Sequence, residues 1–218
     1  MNWKNLKGTL YDLLGYFAPG LIAIFGGCGV MSRLTENNSV ETIKKLSGLE
    51  VFFLIVLAYI LGHALATVSS LIIEKQLVDK NNKFKKSIDA KVILGDEHYL
   101  TLCEKYKQIF NAQYTKNNFW KIICYVQAKQ SSIYDTTQIF LAIYGMARNL
   151  TLIFGFYFCV EFGLLLCLCG TGKVYILLIY GILCTVFLFE YIRFRKYFID
   201  TNLSGFLIPE KDDYEEDK

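Results

Sequence analysis

Residues 51–73 read VFFLIVLAYILGHALATVSSLII and contain no Asp, Glu, Lys or Arg. A helical crossing of a bilayer needs about 20 consecutive apolar residues. A buried helix of a soluble domain is the alternative, but such helices seldom run this long without a charge. The stretch therefore predicts a transmembrane helix, and it places this chain among membrane proteins.

Three further apolar stretches lie outward from it, at residues 13–31, 149–169 and 174–192. The chain is 54% hydrophobic, and a lysine-rich region separates the first pair of stretches from the second. We predict an all-α integral membrane protein with four transmembrane helices arranged as two hairpins, and a helical region between the second and third helices.

The distribution of positive charge predicts the orientation. Most of the 23 lysines and arginines precede the first apolar stretch, fall within residues 74–148 or follow Glu190. Positive residues accumulate on the cytoplasmic side of multi-pass proteins. We therefore expect both termini and the central region in the cytoplasm, in the inner (plasma) membrane of a bacterium.

Four units follow from these boundaries. Residues 1–73 form the first hairpin, residues 74–136 a cytoplasmic helical region, and residues 137–200 an interfacial segment with the second hairpin. Residues 201–218 are acidic at their end and are expected to be disordered. Within the central region, apolar residues recur at helical spacing over 96–110 and 119–128, whereas residues 74–95 are expected to be a solvated continuation of helix two followed by a loop.

Helix two carries two kinds of surface. Small residues recur every four positions and predict close packing against another helix, at Ala58, Gly62, Ala66 and Ser70. A polar line beside them, Tyr59, His63 and Thr67, lies near the middle of the membrane.

His63 is costly to expose to lipid, so we expect it to face other helices or water. Three roles stay open: a structural histidine bonded to a neighbouring helix, a residue that lines or gates a conduction path, and a proton- or metal-binding group.

Two charged residues, Arg148 and Glu161, lie beside or within the third apolar stretch. Glu161 lies in the third apolar stretch, where a carboxylate needs a partner or a raised pKa. It either meets water or Lys173 near the outer surface, or forms a ring of carboxylates around an oligomer axis that selects cations. Arg148, beside Asn149, either reaches lipid phosphate or closes the cytoplasmic mouth of a bundle.

Aromatic and basic residues alternate where helix four leaves the bilayer. Arg193, Arg195 and Lys196 lie in this segment and are expected to anchor the helix to lipid headgroups. No direct binding of nucleic acid is expected from it. The acidic residues 210–217 either serve as a docking strip for a basic partner or only keep the end of the chain soluble.

The sequence offers little for chemistry. None of the seven cysteines forms a CxxC pair, and neither a nucleophile elbow nor a dinucleotide fingerprint occurs. The sequence 170–173, GTGK, joins two apolar stretches and is expected to be a hairpin turn rather than a phosphate-binding loop. We expect no enzyme, no cofactor and no metal site.

Two functions fit this organisation. In the first, copies of the chain assemble into a channel-like or membrane-permeabilising homo-oligomer, because two hairpins alone cannot easily enclose a pore. In the second, the helices anchor a cytoplasmic region, residues 74–136, that recruits a protein partner together with the acidic tail.

The runs YILGHALATVSSLIIEK (59–75) and FLAIYGMARNLTLIF (140–154), flanking a lysine-rich middle with Trp120, resemble small multi-pass bacterial membrane proteins that accompany antiviral defence systems. Membrane accessory proteins beside RNA-targeting CRISPR loci are among these. The resemblance covers about half of the chain and supplies no catalytic residue. It implies a membrane effector that damages or depolarises the inner membrane after a signal from a separate protein.

Overall fold

The computed structural model describes residues 11–35, 47–167 and 174–208, and most of these residues are helical, with no β-strand among them. The all-α prediction is confirmed. The helices are α1 (Ala18–Thr35), α2 (Gly48–Ser69), α3 (Asn82–Ser87), α4 (Ala90–Phe110), α5 (Phe119–Lys129), α6 (Ser131–Cys167) and α7 (Val174–Leu207). A π-helical turn, Leu13–Phe17, precedes α1, and a second π-helical segment, Ser70–Val78, continues α2.

Four of these segments are long and apolar enough to cross a membrane. They are Leu13–Ser32, Gly48–Val78, Ser131–Leu166 and Val174–Leu207. The four predicted crossings are thereby confirmed. At the start of α2, Ser47 caps the backbone N–H of Glu50 while the Glu50 carboxylate accepts from the Ser47 N–H at 2.7 Å, which explains why the helix begins there.

The last three membrane helices are longer than their apolar stretches. α6 runs without a break from Ser131, so the expected interfacial segment is the first part of a membrane helix. α7 continues to Leu207, beyond the predicted end at 192. Hydropathy marks only the part of a helix that lies in hydrocarbon, and nothing in helical geometry ends the helix at that boundary. We call the side of the bilayer on which these extensions lie the domain side.

The two hairpins pack differently. α6 and α7 run antiparallel along their whole length, with Phe154 stacked on Phe187 and Tyr144 against Tyr191. The backbones of α1 and of the π-helical turn before it lie close to that of α2: a Cβ at Gly20 would overlap the Ala58 carbonyl, and a Cβ at Gly62 would overlap the carbonyl of Tyr16. The loop residues 36–46 and the turn 168–173 lie outside the described residues.

The domain side carries a small helical domain built from α4 and α5 and from the ends of α6 and α7. Its core contains six buried apolar side chains, Leu102, Tyr106, Ile122, Val126, Leu203 and Phe206. Two of these belong to α7. The amphipathic faces of α4 and α5 are too small to form a core alone, and the extension of α7 covers them.

This packing changes the predicted boundaries. Residues 201–207 are helical, and Leu203 and Phe206 are buried, so the start of the expected disordered tail is part of the domain. The acidic residues 210–217 lie outside the described residues. Within 74–95, helix two continues as expected, as a π-helical segment that ends at the buried Val78, whereas α3 and the buried Ile88 replace the expected solvated loop. The helix predicted over 96–110 is the larger part of α4, which begins earlier, at Ala90, and is broken at Gly95, whose φ is 77°.

Candidate functional site

Charged residues from three membrane helices meet at one depth. A helix rises about 1.5 Å per residue. The distance along the helix axis is therefore about 35 Å from Val51, where α2 enters the hydrocarbon, to Glu74. It is about 32 Å from Val174, where α7 enters the hydrocarbon, to Arg195. Going from Cys167, α6 reaches Arg148 after about 29 Å. The hydrocarbon is about 30 Å thick. All three residues therefore lie where the helices leave it on the domain side.

Glu74 bridges two arginines. Its Oε2 accepts from Arg148 Nη1 at 2.9 Å, and its Oε1 lies 3.0 Å from Arg195 Nη2. Arg195 Nη2 also lies 3.5 Å from Asp79 Oδ1, and its Nη1 donates to the Tyr191 hydroxyl at 2.8 Å. The arginine side chains are 14% and 12% exposed, so water screens these ion pairs only weakly. We call Glu74, Asp79, Arg148, Tyr191 and Arg195 the charged junction.

A buried polar cluster lies next to it. Arg148 Nε donates to Ser69 Oγ at 3.1 Å, and Nη2 donates to the Ala66 carbonyl at 3.2 Å. Ser69 Oγ donates to Asn149 Oδ1 at 2.5 Å, and Asn149 Nδ2 donates to the Gly15 carbonyl at 2.7 Å. Asn149 is fully buried. Side chains of α6 thus tie α2 and the turn before α1 together.

Both π-helical segments lie at this cluster. The Ala18 N–H donates to the Leu13 carbonyl, and the Asp79 N–H donates to the Glu74 carbonyl at 2.9 Å, five residues back in each case. The wider turn changes where backbone and side-chain groups point. Segments of this type are rare and occur often at functional sites.

A cavity of about 300 Å³ opens between the charged junction and the helical domain. It is lined by Glu74, Ile88, Asp89, Ala90, Tyr99, Tyr114, Lys116, Phe119, Tyr144, Arg195, Phe198 and Ile199. Burial raises the pKa of Tyr114 to about 12 and also raises the pKa of Tyr99. Both phenols therefore stay neutral at physiological pH and present ring faces and hydroxyl donors.

The polar line of helix two lies on the surface of the chain. His63 and Thr67 are exposed, and Tyr59 is 40% exposed. The His63 ring stacks on Tyr16 with centroids 3.8 Å apart and meets the edge of Tyr59 at 4.6 Å. Thr67 Oγ1 donates to the His63 carbonyl at 3.2 Å. We call Tyr59, His63 and Thr67, together with the half-buried Tyr16 on which His63 stacks, the exposed polar face.

Within one chain, side chains fill the space between the membrane helices next to this face. Val30, Leu150, Ile153 and Tyr157 form a buried apolar cluster between α1 and α6. The Tyr157 hydroxyl donates to the Ala23 carbonyl. The described helices of one chain thus pack against each other here, and the polar face looks outward.

Glu161 does not belong to either group. It lies about 20 Å along α6 from Arg148, at about 1.5 Å per residue. Its side chain is buried, with 1% exposure. A ring of carboxylates around an oligomer axis would need this side chain on the surface of the chain, so the structure disagrees with that alternative. Lys173, its other expected partner, lies outside the described residues.

The four small residues of the predicted packing stripe have two different environments. Ala58 and Gly62 are buried against the first hairpin partner, whereas Ala66 contributes its carbonyl and Ser70 donates to Glu74 Oε2 at 3.3 Å.

Arg195, which was expected to anchor the helix to lipid headgroups, instead pairs with Glu74 in the charged junction, and its side chain is 12% exposed. Arg193 pairs with Glu190 at 2.7 Å on the outside, and Lys196 is exposed. Residues two positions apart on a helix, such as Arg193 and Arg195, are about 200° apart around the axis and lie on opposite faces. Residues three apart, such as Arg193 and Lys196, share a face.

Several residues of the site were not predicted. Ser69, Glu74, Asp79 and Tyr16 appeared in the sequence as ordinary polar residues near apolar runs. The sequence did contain one indication of this site. Glu74, Arg148 and Arg195 each lie about one bilayer thickness from the opposite end of the apolar stretch that they follow or precede. Opposite charges at one depth predict an ion pair.

No protein-family model, curated protein or solved structure matches this chain.

Proposed function

We propose that this protein is a membrane effector whose copies assemble side by side, so that their exposed polar faces line a shared aqueous path. In this proposal the chain lies in a bacterial inner membrane with the helical domain in the cytoplasm, as the distribution of lysine and arginine favours. The resemblance to membrane proteins of antiviral defence systems supports a role in such a system, with the signal delivered by another protein.

The exposed polar face carries the proposal. His63 lies near the middle of a segment that spans Gly48–Val78, and its ring is exposed beside Tyr16 and Tyr59. An ionisable side chain is costly in contact with lipid tails and is stabilised by water or protein. Contact between copies removes this face from lipid, and a ring of such faces encloses polar groups around an axis.

Leakage from liposomes that contain the purified protein tests the pore. His63→Leu is expected to lower the initial rate of ion leakage at least tenfold, because the path loses its central polar group. Thr67→Val and Thr185→Val form a matched pair. Each hydroxyl is exposed and donates to the carbonyl four residues back, but Thr185 lies on α7. Thr67→Val should slow leakage and Thr185→Val should not. Wild-type leakage in both His63→Leu and Thr67→Val would overturn the proposal.

The second candidate is a membrane anchor that recruits a cytoplasmic partner through residues 74–136. The observation that favours it is the domain core, which uses Leu203 and Phe206 of α7 and thus joins the domain firmly to the membrane helices. An anchor needs no polar path. Two results together would favour the anchor over the pore: liposomes with the wild-type protein show no ion leakage, and His63→Leu keeps full activity in cells.

A further inference from the structure

Four lysines follow the second membrane segment within a short stretch of chain. No Asp or Glu occurs over residues 80–88, which contain Lys80, Lys83, Lys85 and Lys86. All four residues are exposed, and none of them forms an ion pair with another residue that the structure describes. We call these residues the lysine cluster. Acidic groups of the described helices do not neutralise its positive charge.

The buried face of α3 gives the depth of the lysine cluster. Phe84 of α3 packs against a group of buried apolar side chains. These are Ile73, Val78, Ile88, Ala147 and Tyr191. Ile73 directly precedes Glu74, and Tyr191 itself belongs to the charged junction. α3 therefore lies against the membrane helices at the depth of the junction, which is where these helices leave the hydrocarbon.

The lysines of α3 point away from this contact. Consecutive residues of a helix are about 100° apart around the axis. With Phe84 turned towards the membrane helices, Lys83, Lys85 and Lys86 lie about 100° to 200° from it and are exposed. Lys80 lies in the turn that leads into α3 and is exposed as well. The lysine cluster thus faces outward at the level of lipid headgroups.

Another exposed group of the domain lies at nearly the same depth. The Phe119 and Phe198 rings meet edge to face with centroids 6.3 Å apart, and Phe198 lies about 4.5 Å beyond Arg195 along α7. Trp120, the next residue of α5, is 58% exposed. Tryptophan is enriched at membrane–water interfaces, because its ring is apolar and its N–H is polar. The start of α5 thus also suits contact with headgroups.

Anionic phospholipids carry the charge that complements the lysine cluster. Clusters of about four to eight lysines or arginines beside the end of a membrane helix attract anionic headgroups, and this attraction falls off within a Debye length. The depth of α3 brings the four charges within that distance of lipid phosphates. The basic residues of α7 offer less positive charge, because Arg195 is turned inward and Arg193 pairs with Glu190.

We propose that the lysine cluster is a binding surface for anionic phospholipid headgroups, whose phosphates pair with Lys80, Lys83, Lys85 and Lys86. α3 lies between the end of the second membrane segment and the helical domain, so a bound headgroup holds α3 from the side opposite Phe84. The partner is lipid of the surrounding bilayer rather than a soluble molecule. This inference does not depend on whether copies of the chain form a pore.

Native mass spectrometry of the full-length protein in detergent tests the proposal. The probes are phosphatidylglycerol and phosphatidylcholine with the same acyl chains, and the measured quantity is the dissociation constant of the first bound lipid. Phosphatidylglycerol should bind about tenfold more tightly than phosphatidylcholine. This preference should fall when ammonium acetate is raised from about 50 mM to about 500 mM, because salt screens the attraction between charges. Equal affinity for the two lipids, or a preference that salt does not change, would refute the proposal.

Lys85→Gln combined with Lys86→Gln should lower the preference for phosphatidylglycerol about fivefold. Lys107→Gln combined with Lys129→Gln is the matched control, because it also removes two charges from exposed residues in the last turn of a helix. The control should leave the preference unchanged. The same loss in both double variants, or no loss in the first, would show that the lysine cluster does not select the lipid.

The control lysines lie far from the membrane. Lys105, two positions before Lys107, donates to the Ile208 carbonyl at 2.9 Å. Ile208 lies about 20 Å beyond Arg195 along α7. Lys129 is the last residue of α5, and α5 runs away from the membrane beside α7. Both lysines are therefore separated from the headgroups by more than the Debye length of about 8 Å at physiological salt.

A short single-stranded RNA tests the rival occupant, because clustered lysines also attract nucleic acid. Absent RNA binding, or binding weaker than that of phosphatidylglycerol, supports the lipid. RNA that binds more tightly than phosphatidylglycerol, and that is lost in Lys85→Gln with Lys86→Gln but not in the control, would identify a nucleic-acid surface and contradict the proposal.

Discussion

Glu74 is the residue on which most of the charged junction depends. Its two carboxylate oxygens lie on guanidinium groups from two different helices, Arg148 on α6 and Arg195 on α7. Each arginine has a further partner, Ser69 and Tyr191 respectively. Without the carboxylate, two weakly hydrated positive charges would face each other. A single side chain thereby holds three membrane helices at one depth.

Glu74→Gln is expected to lower the free energy of unfolding by about 3 kcal/mol, because it leaves two positive charges with one carboxylate, Asp79, beside Arg195. Glu190→Gln is the matched control: it makes the same chemical change in an exposed pair with Arg193 and should cost less than about 0.5 kcal/mol. Thermal unfolding in detergent, followed by circular dichroism, measures both. Equal losses of stability would show that the junction contributes no more than a surface pair.

At the scale of elements, close backbone contact decides how the first hairpin closes. Gly20 of α1 contacts the Ala58 carbonyl of α2, and Gly62 of α2 contacts the backbone of Tyr16 in the turn before α1. Small residues allow such contact in a medium where packing, and not the hydrophobic effect, drives helix association. The same contact places Tyr16 on His63 and so builds the exposed polar face.

Gly20→Ala should destabilise the hairpin by about 2 kcal/mol, because the added Cβ has no room at the Ala58 carbonyl. Gly29→Ala in the same helix is the control, since its Cβ meets nothing within 4 Å, and alanine favours the helix by about 1 kcal/mol over glycine. Unfolding in detergent with increasing sodium dodecyl sulfate separates the two variants. A Gly20→Ala protein as stable as Gly29→Ala would contradict the close contact.

At the scale of the whole molecule, most of the outer surface of the membrane helices is apolar and is not covered by other helices of the chain. Only 11% of the most apolar window of the Gly48–Val78 segment and 6% of that in Val174–Leu207 is buried within the chain. Lipid suits such a surface, but it does not suit the exposed polar face of α2. The mismatch between one polar strip and its apolar surroundings is the reason to expect contact between copies.

The mass of the detergent-solubilised particle tests this expectation. We expect a protein mass of several times 25.1 kDa by native mass spectrometry. The particle should keep this mass on dilution above the critical micelle concentration, whereas His63→Leu shifts it toward smaller assemblies. A wild-type protein that stays at the mass of one chain over the same range would remove the basis for a shared pore.

The membrane class, the four crossings and the two amphipathic helices of the domain follow from the amino-acid sequence alone. Residues 51–73 show why: a run of apolar side chains of bilayer length has few other stable environments, so local composition is sufficient. The part of α4 that follows Gly95 is another local feature, because apolar residues recur at helical spacing over 96–110.

Only the packing of the helices decided three features: the charged junction, the domain core and the inward position of Arg195. Glu74 and Arg148 are 74 positions apart in the chain, and nothing local to either specifies the other. Arg195 resembles its basic neighbours in sequence, but the rotation of α7 turns it inward while Arg193 and Lys196 face out. Leu203 and Phe206 follow the apolar stretch and become buried only because α4 and α5 pack over them. Such contacts join distant segments, and their free energy exists only in the assembled fold.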